Sequence, residues 1–311
     1  MSRIAVIDLG TNTFNLLIVE VNSDGSYQQI FQTKISVKLA EGGMNKGFIA
    51  PIPFQRGIDA LKIHKQTIEK YNTERILAFA TSAIRGASNG DEFIYKAKQE
   101  TNISIQTISG DKEAEFIYYG VRQAVEMNED ISLIIDIGGG STEFIIGNKE
   151  KIFWKQSFLL GAARLLELFS PSDPIRENEI MTIKEYLRKE LQPLFEAVKK
   201  WPVTELIGSS GSFDSLAEMV AHKFYTPAIL DNKTEYTFDL DECEVIYKSI
   251  LNSTNAERLM MKGLVAMRVD MIVISSILVD FIISCLNIQK MRLSTYSLKE
   301  GVLYEALNKE L

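Results

Sequence analysis

The sequence is poor in the residues that build metal and redox chemistry from sulfur and imidazole. It has two cysteines and two histidines in 311 residues. Cys243 and Cys285 stand at a spacing that matches no metal motif. Buried thiols in a reducing cytosol are therefore expected rather than a disulfide. His64 and His222 fall in helical periodicity with no partner signature, and both read as structural. Long hydrophobic runs are also missing. The most membrane-like stretch, Met271 to Leu286, is interrupted by Asp280 and flanked by Arg268 and Asp270. A bilayer span needs about 20 apolar residues, so a buried core helix is expected and no membrane association. Positive charge is in deficit, with 34 Lys and Arg against 41 Asp and Glu, a net charge of -7. That balance argues against general nucleic-acid binding, and a polyanionic substrate would have to meet a local basic patch. Met1-Ser2-Arg3 leads straight into strand-like sequence, so no signal peptide is expected.

What the chain does have is a statement made twice. Residues 4–19 read IAVIDLGTNTFNLLIV and residues 132–147 read SLIIDIGGGSTEFIIG. Each is an aliphatic run ending on Asp, then a Gly-containing turn, hydroxyl residues and a second apolar run. Aligning Asp8 with Asp136 places Gly10 on Gly138, Thr13 on Ser141 and Asn15 on Glu143. An internal repeat carries more weight than a lone Gly motif. It implies two similar domains that face one ligand.

Periodicity and turn signals fill in the rest. Strands are expected at 4–9, 14–21 and 27–33, a loop over 34–47, a helix over 54–71 and a strand over 75–81 that ends in Thr81-Ser82-Ala83-Ile84-Arg85. A helix at 91–100, a strand at 103–108 and a helix from Gly110 to about Met127 complete the first half. In the second half, strands are expected at 132–137, 143–147 and 151–156. A long helix over 175–199, a strand at 205–207 and a helix from Phe213 follow. Residues 226–240 read as irregular. Helices at 241–252, 256–266 and 269–286, a strand at 290–293 and a final helix at 297–308 close the chain. Alternating strands and helices imply an α/β fold with ligand groups at strand ends.

The chemistry is expected at the two Asp-Gly turns. Backbone N–H groups leaving a strand lack ladder partners, and glycine lets a phosphate come close to them. Asp8, Gly10, Thr11, Asn12 and Thr13 form one such turn, and Gly138, Gly139, Gly140, Ser141 and Thr142 the other. Gly211 and Ser212, in a Gly/Ser run that follows a strand, offer a third. Asp136 and Glu143 flank the second turn and suit one Mg²⁺, or Mn²⁺ in its place, with retained waters. The first copy has neutral Asn15 where the second has Glu143, which makes the second the metal side. Glu113 stands in the first turn of a helix. There a carboxylate has a structural reason, stabilising the helix N-terminus, and a functional one, orienting water as a general base. Arg85 is either a surface residue after a strand or a guanidinium that neutralises phosphoryl oxygens.

Together these residues resemble the exopolyphosphatase / guanosine pentaphosphate phosphohydrolase (Ppx/GppA) family. The carriers are Asp8–Thr13, Asp136–Glu143 and Ser109-Gly110 with Glu113-Ala114. Weaker support comes from Thr81–Arg85, Gly208–Ser212, Arg268-Val269-Asp270 and Leu298–Tyr304. The resemblance implies two ribonuclease-H-like, actin-like ATPase domains around a central cleft: residues 1–123 with 297–311, and 124–296. It implies a hydrolase that releases the terminal phosphate of inorganic polyphosphate, with pppGpp as the alternative substrate. Glu113 would be the general base, Asp136 and Glu143 would serve the cation, and Arg85 would contact the phosphates. A cytoplasmic location and a homodimer are family-level expectations. Two positions depart from the family pattern. The family has an acidic residue before the base and often Arg two residues after it, whereas this chain has Lys112 and Glu115. These departures motivate a rival reading, a binding sensor that has lost catalysis. A sugar kinase of the same superfold lacks support, because each half is small and carries nothing like a sugar-binding insertion. Long members add a helical region of the HD type. The chain ends at residue 311 without it, so processive attack on long chains is not expected.

Overall fold

In the computed structural model, which describes residues 2–308, each half of the chain builds a sheet by the same plan. The first half runs β1 (Ser2–Leu9), β2 (Thr13–Val21), β3 (Tyr27–Ser36), α1 (Pro51–Lys70), β4 (Arg75–Ala80), α2 (Ser82–Arg85), α3 (Gly90–Thr101), β5 (Ile105–Thr107) and α4 (Gly110–Ala124). Its strand order is β3-β2-β1-β4-β5. The second half runs β6 (Ser132–Ile137), β7 (Thr142–Gly147), β8 (Ile152–Phe158), α5 (Ala162–Phe169), α6 (Glu177–Glu190), α7 (Gln192–Lys200), β9 (Glu205–Ser209) and α8 (Gly211–Phe224). It continues with β10 (Glu235–Phe238), α9 (Leu240–Leu251), α10 (Asn255–Leu259), α11 (Ile272–Leu286), β11 (Lys290–Ser294) and α12 (Leu298–Asn308). Its order is β10-β11-β9-β6-β7-β8. In both, an antiparallel three-stranded meander is joined by parallel strands, β4 beside β1 and β9 beside β6. The expected α/β fold is the one observed, as two lobes whose sheets share one plan. Every residue of β6 and β7 is buried, which is why these segments read as continuous aliphatic runs.

Most elements fall where the sequence places them, and the exceptions have local causes. The helix expected over 175–199 is two helices, because Pro193 cannot continue a helix and instead sits in the first turn of α7. The short amphipathic α5 was not anticipated. Within 226–240 lies the edge strand β10, paired antiparallel with β11. The helix expected over 256–266 stops at Leu259. Downstream, Gly263 takes φ +84° and its Cα lies against the backbone of Glu218, which no side chain would permit. Thr81–Arg85 turns into the single-turn helix α2, and Lys34–Ser36 extend β3 where a loop was expected.

Three apolar clusters hold the molecule. One lies in each lobe. The third lies between the sheets and joins Ile4 and Val6 of β1, Phe116 and Tyr118 of α4, Ile134 of β6, Ile207 of β9 and Val302 of α12. α4 and α12 cross there backbone to backbone. A Cβ on Gly120 would overlap the Ser297 carbonyl, and one on Gly301 would overlap the Phe116 carbonyl. Gly301→Ala should therefore destabilise the protein by about 2 kcal/mol through overpacking, read as a lower urea midpoint at unchanged slope. Residues 1 and 309–311 of the expected first domain lie outside the described residues.

Among the described residues no helix is long and apolar enough to cross a membrane. α11 is a core helix, and its Asp280 pairs with Lys184 at 2.6 Å. Both cysteines are free thiols, and burial pushes Cys243 up to about 12. His64 is buried with Nε2 3.1 Å from the Phe14 carbonyl oxygen, and burial lowers its pKa, so the ring is neutral and structural. His222 is exposed in the last turn of α8.

Candidate active site

The two Asp-Gly turns have the same geometry. Gly10 N–H donates to the Thr13 carbonyl at 3.1 Å and Gly138 N–H to the Ser141 carbonyl at 3.0 Å. A Cβ on either glycine would come within 2.9 Å of that carbonyl oxygen. The turns face each other so closely that a Cβ on Gly139 would overlap the Asn12 amide, and one on Gly140 would reach Thr11 Oγ1 at 2.6 Å. Asn12 also donates across the cleft to Met271 Sδ at 2.8 Å. What remains between the lobes is a cavity of about 210 Å³.

Asp8, Gly10 to Thr13, Glu113, Asp136, Gly138 to Ser141, Glu143, Gly211 and Ser212 all line this cavity. Three of the expected site residues use their polar groups elsewhere. Thr142 lies outside the lining, its hydroxyl donating to the Leu160 carbonyl at 2.9 Å. Ser212 lies at the wall, but its hydroxyl donates to Ser275 Oγ at 3.0 Å. Arg85 also lies outside the lining. Its Nη1 donates to Glu113 Oε2 at 2.8 Å and to the Ile108 carbonyl at 2.9 Å. In this structure Arg85 is therefore the partner of the expected base.

Sheet register explains how the carboxylates come together. In the first lobe Lys34, Asn15 and Asp8 lie opposite one another across β3, β2 and β1. Asn15 donates to Asp8 Oδ2 at 2.9 Å, and burial pushes Asp8 up to about 6 against that bond. In the second lobe the corresponding row across β8, β7, β6 and β9 is Ser157, Glu143, Asp136 and Ser209. Two carboxylates thus stand directly opposite each other, an arrangement that repels when both are ionised. Burial raises Asp136, with the Ser209 hydrogen bond opposing it. Burial and then the charge of Asp136 push Glu143 up to about 7. Glu113, on α4, is held well above the carboxylate range by burial and by Glu143, with Arg85 opposing. Among the described residues no three His, Cys, Asp or Glu side chains converge closely enough to hold a metal between them. The Asp136–Glu143 pair offers hard oxygen donors that face each other across paired strands. That suits Mg²⁺, which binds through one or two carboxylates and keeps its other positions for water and phosphate.

Several lining residues carry charge that the sequence reading did not place. Lys34, Lys38, Arg268 and Lys299 bring cations into the cavity, and Asp214 one carboxylate. Burial lowers the pKa of both Lys34 and Arg268. Burial also opposes the charge on Lys299, but Glu300 at 2.9 Å outweighs it and the ammonium is stabilised. Arg268 lies flat on Gly211, where any Cβ would overlap its guanidinium. A signal for Lys34 was present. Gln32, Lys34 and Ser36 alternate along β3 and all three line the cavity.

The profile of the Ppx/GppA phosphatase family matches residues 17–310. The chain belongs to that family. A crystal structure of an exopolyphosphatase from Cytophaga hutchinsonii is 41% identical, with a TM-score of 0.95 over 99% of this chain and 98% of that one. The Aquifex aeolicus Ppx/GppA family member is 26% identical, with a TM-score of 0.81 over 99% and 98%. Exopolyphosphatase 1 of Mycobacterium tuberculosis is 27% identical over 316 residues, covering 99% of this chain and 89% of that protein. Against the Ppx/GppA pattern the two unusual charges, Lys112 and Glu115, pair with each other at 3.2 Å. Lys112 also pairs with Glu305 of α12, and Glu115 with Lys155 of β8 at 3.1 Å. These charges are thus neutralised on the spot, and Glu113 is perturbed first by burial and then by Glu143, Arg85 and Asp8.

Proposed function

We propose that this protein hydrolyses the terminal phosphoanhydride of inorganic polyphosphate, with Glu113 as general base. The observation that carries the reading is one cavity between the lobes. A buried carboxylate, two turns of backbone donors and four cations share its wall. The names of the relatives, exopolyphosphatases, support the same substrate. Backbone N–H groups of the turns at 10–13 and 138–141 would cradle the phosphoryl oxygens. Lys34, Lys38, Arg268 and Lys299 would hold the phosphates behind the one transferred. Glu113 takes a proton from water as the water oxygen bonds to the terminal phosphorus and the bridging P–O bond breaks. The products are orthophosphate and a chain one unit shorter. Asp136 and Glu143 would hold Mg²⁺, or Mn²⁺, whose chemistry is to offset the phosphate charge. Polyphosphate is favoured over pppGpp because, among the described residues, no aromatic ring lines the cavity on which a guanine could stack. The free, half-buried thiols support a reducing, cytoplasmic setting.

A phosphate-release assay across tripolyphosphate, long polyphosphate and pppGpp, with and without Mg²⁺, tests this reading. Mg²⁺-dependent release from both polyphosphates is expected. Equal or faster release from pppGpp overturns the substrate, and tight binding without release revives the sensor. Arg268→Ala should raise KM for polyphosphate about 10- to 100-fold, the worth of a charge-assisted hydrogen bond, with a smaller change in kcat.

A further inference from the structure

The register row of the second lobe carries more than its two acids. Ser157 lies opposite Glu143 on one side, and Ser209 opposite Asp136 on the other. Ser157 Oγ donates to Glu143 Oε1 at 2.6 Å, and Ser209 Oγ donates to Asp136 Oδ2 at 2.6 Å. Bonds of this length to a carboxylate are charge-assisted and strongly directional. They occupy one named oxygen on each acid, and a second hydroxyl, Ser141 at Glu143 and Ser210 at Asp136, also bonds each carboxylate. The first lobe has no such device. The position matching Ser157 is Lys34 and the position matching Ser209 is Phe79. In this row, hydroxyls flank the pair of acids and not Asp8 and Asn15.

We propose that Ser157 and Ser209 are positioning residues that fix the two carboxylates for a single divalent cation. The proposal rests on the cation reading above. Strand pairing fixes the backbone of each serine, so its hydroxyl favours the carboxylate orientation that accepts its bond. Ser157 has a second contact. A Cβ on Gly110, the first residue of α4, would overlap Ser157 Cβ and come within 2.8 Å of its Oγ. The serine that orients Glu143 therefore also abuts the start of the helix that carries Glu113 three residues later. Serine suits the place because it supplies a donor without a bulk that would push this helix away.

The test is Mn²⁺ affinity measured by electron paramagnetic resonance, in the presence of a methylene-bridged triphosphate that cannot be hydrolysed. Ser157→Ala and Ser209→Ala should each weaken Mn²⁺ about 10- to 100-fold, the usual effect of losing an outer hydrogen bond to a ligand. The double variant Ser157→Ala/Glu143→Gln should bind no more weakly than Glu143→Gln alone, because Ser157 acts through Glu143. Circular dichroism melts establish that each variant is folded. If Glu143→Gln weakens Mn²⁺ binding, but Ser157→Ala and Ser209→Ala bind within twofold of wild type, the positioning role is refuted. Additive losses in the double variant refute action through Glu143. If Glu143→Gln binds Mn²⁺ as wild type does, the cation reading itself fails.

Discussion

Glu113→Gln should lower phosphate release from polyphosphate by on the order of 10² to 10⁴ while leaving KM and the melting temperature close to wild type. That range is what a positioned general base contributes. Residue type alone does not identify the base, because a carboxylate in the first turn of α4 would also favour the helix N-terminus. Placement decides. Glu113 is 7% exposed, lines the cavity and accepts from Arg85 at 2.8 Å. Gln keeps the shape and can still accept that bond, so the loss should appear in kcat and not in folding. Arg85 lowers the Glu113 pKa against burial and Glu143. Arg85→Ala should therefore move the acid limb of the pH–rate profile to higher pH. A Glu113→Gln protein within tenfold of wild-type kcat would remove the residue from the mechanism.

Glu143→Gln should abolish cation-dependent activity and yet stabilise the cation-free protein at pH 8. Glu143 has a folded pKa of about 7 against 4.5 for an ordinary glutamate. A carboxyl whose pKa rises on folding binds its proton more tightly in the native state. Its contribution is intact below about pH 4.5 and is lost as pH climbs towards 7. A shift of that size corresponds to about 3 kcal/mol. Asp8, raised from 3.8 to about 6, acts in the same direction over a lower window. The metal-free protein should therefore melt at lower temperature at pH 8 than at pH 5. Gln at 143 should flatten the dependence, and adding Mg²⁺ to wild type should flatten it too. Thermal melts over pH 5–8 with and without chelator read all three. A wild-type melting temperature that rises across this range would contradict the placement of the carboxylate pair.

The parts of the site legible in the sequence are those that one short segment completes by itself. Asp8 with its turn, Asp136 to Glu143, and Glu113 are each set by a strand end or a helix start, and local chemistry announces them. The asymmetry between Asn15 and Glu143 was legible for the same reason. The cations were not, because the cavity draws Lys34 from a strand, Arg268 from the segment before α11 and Lys299 from the last helix. Nothing in their neighbours marks them as meeting. Ser157 and Ser209 were invisible for a related reason, since their meaning lies in register across four strands. Arg85 reads as a phosphate contact from its charge and from the family resemblance. Its pairing with the Ile108 carbonyl and Glu113, delivered by the single turn of α2, has no local sequence signal.

The contact of Gly120 with α12 acts as a fulcrum. Two helices that touch backbone to backbone cannot slide apart or exchange neighbours, but they can pivot. Glu113 precedes Gly120 by seven residues, a lever arm of about 10 Å at 1.5 Å per residue. A swing of roughly 5° at the glycines displaces Glu113 by about 1 Å, and an error of that size in a reacting group can cost about a hundredfold in rate. The small residues at the crossing, far from the phosphates, thereby set the tolerance to which the base is aimed.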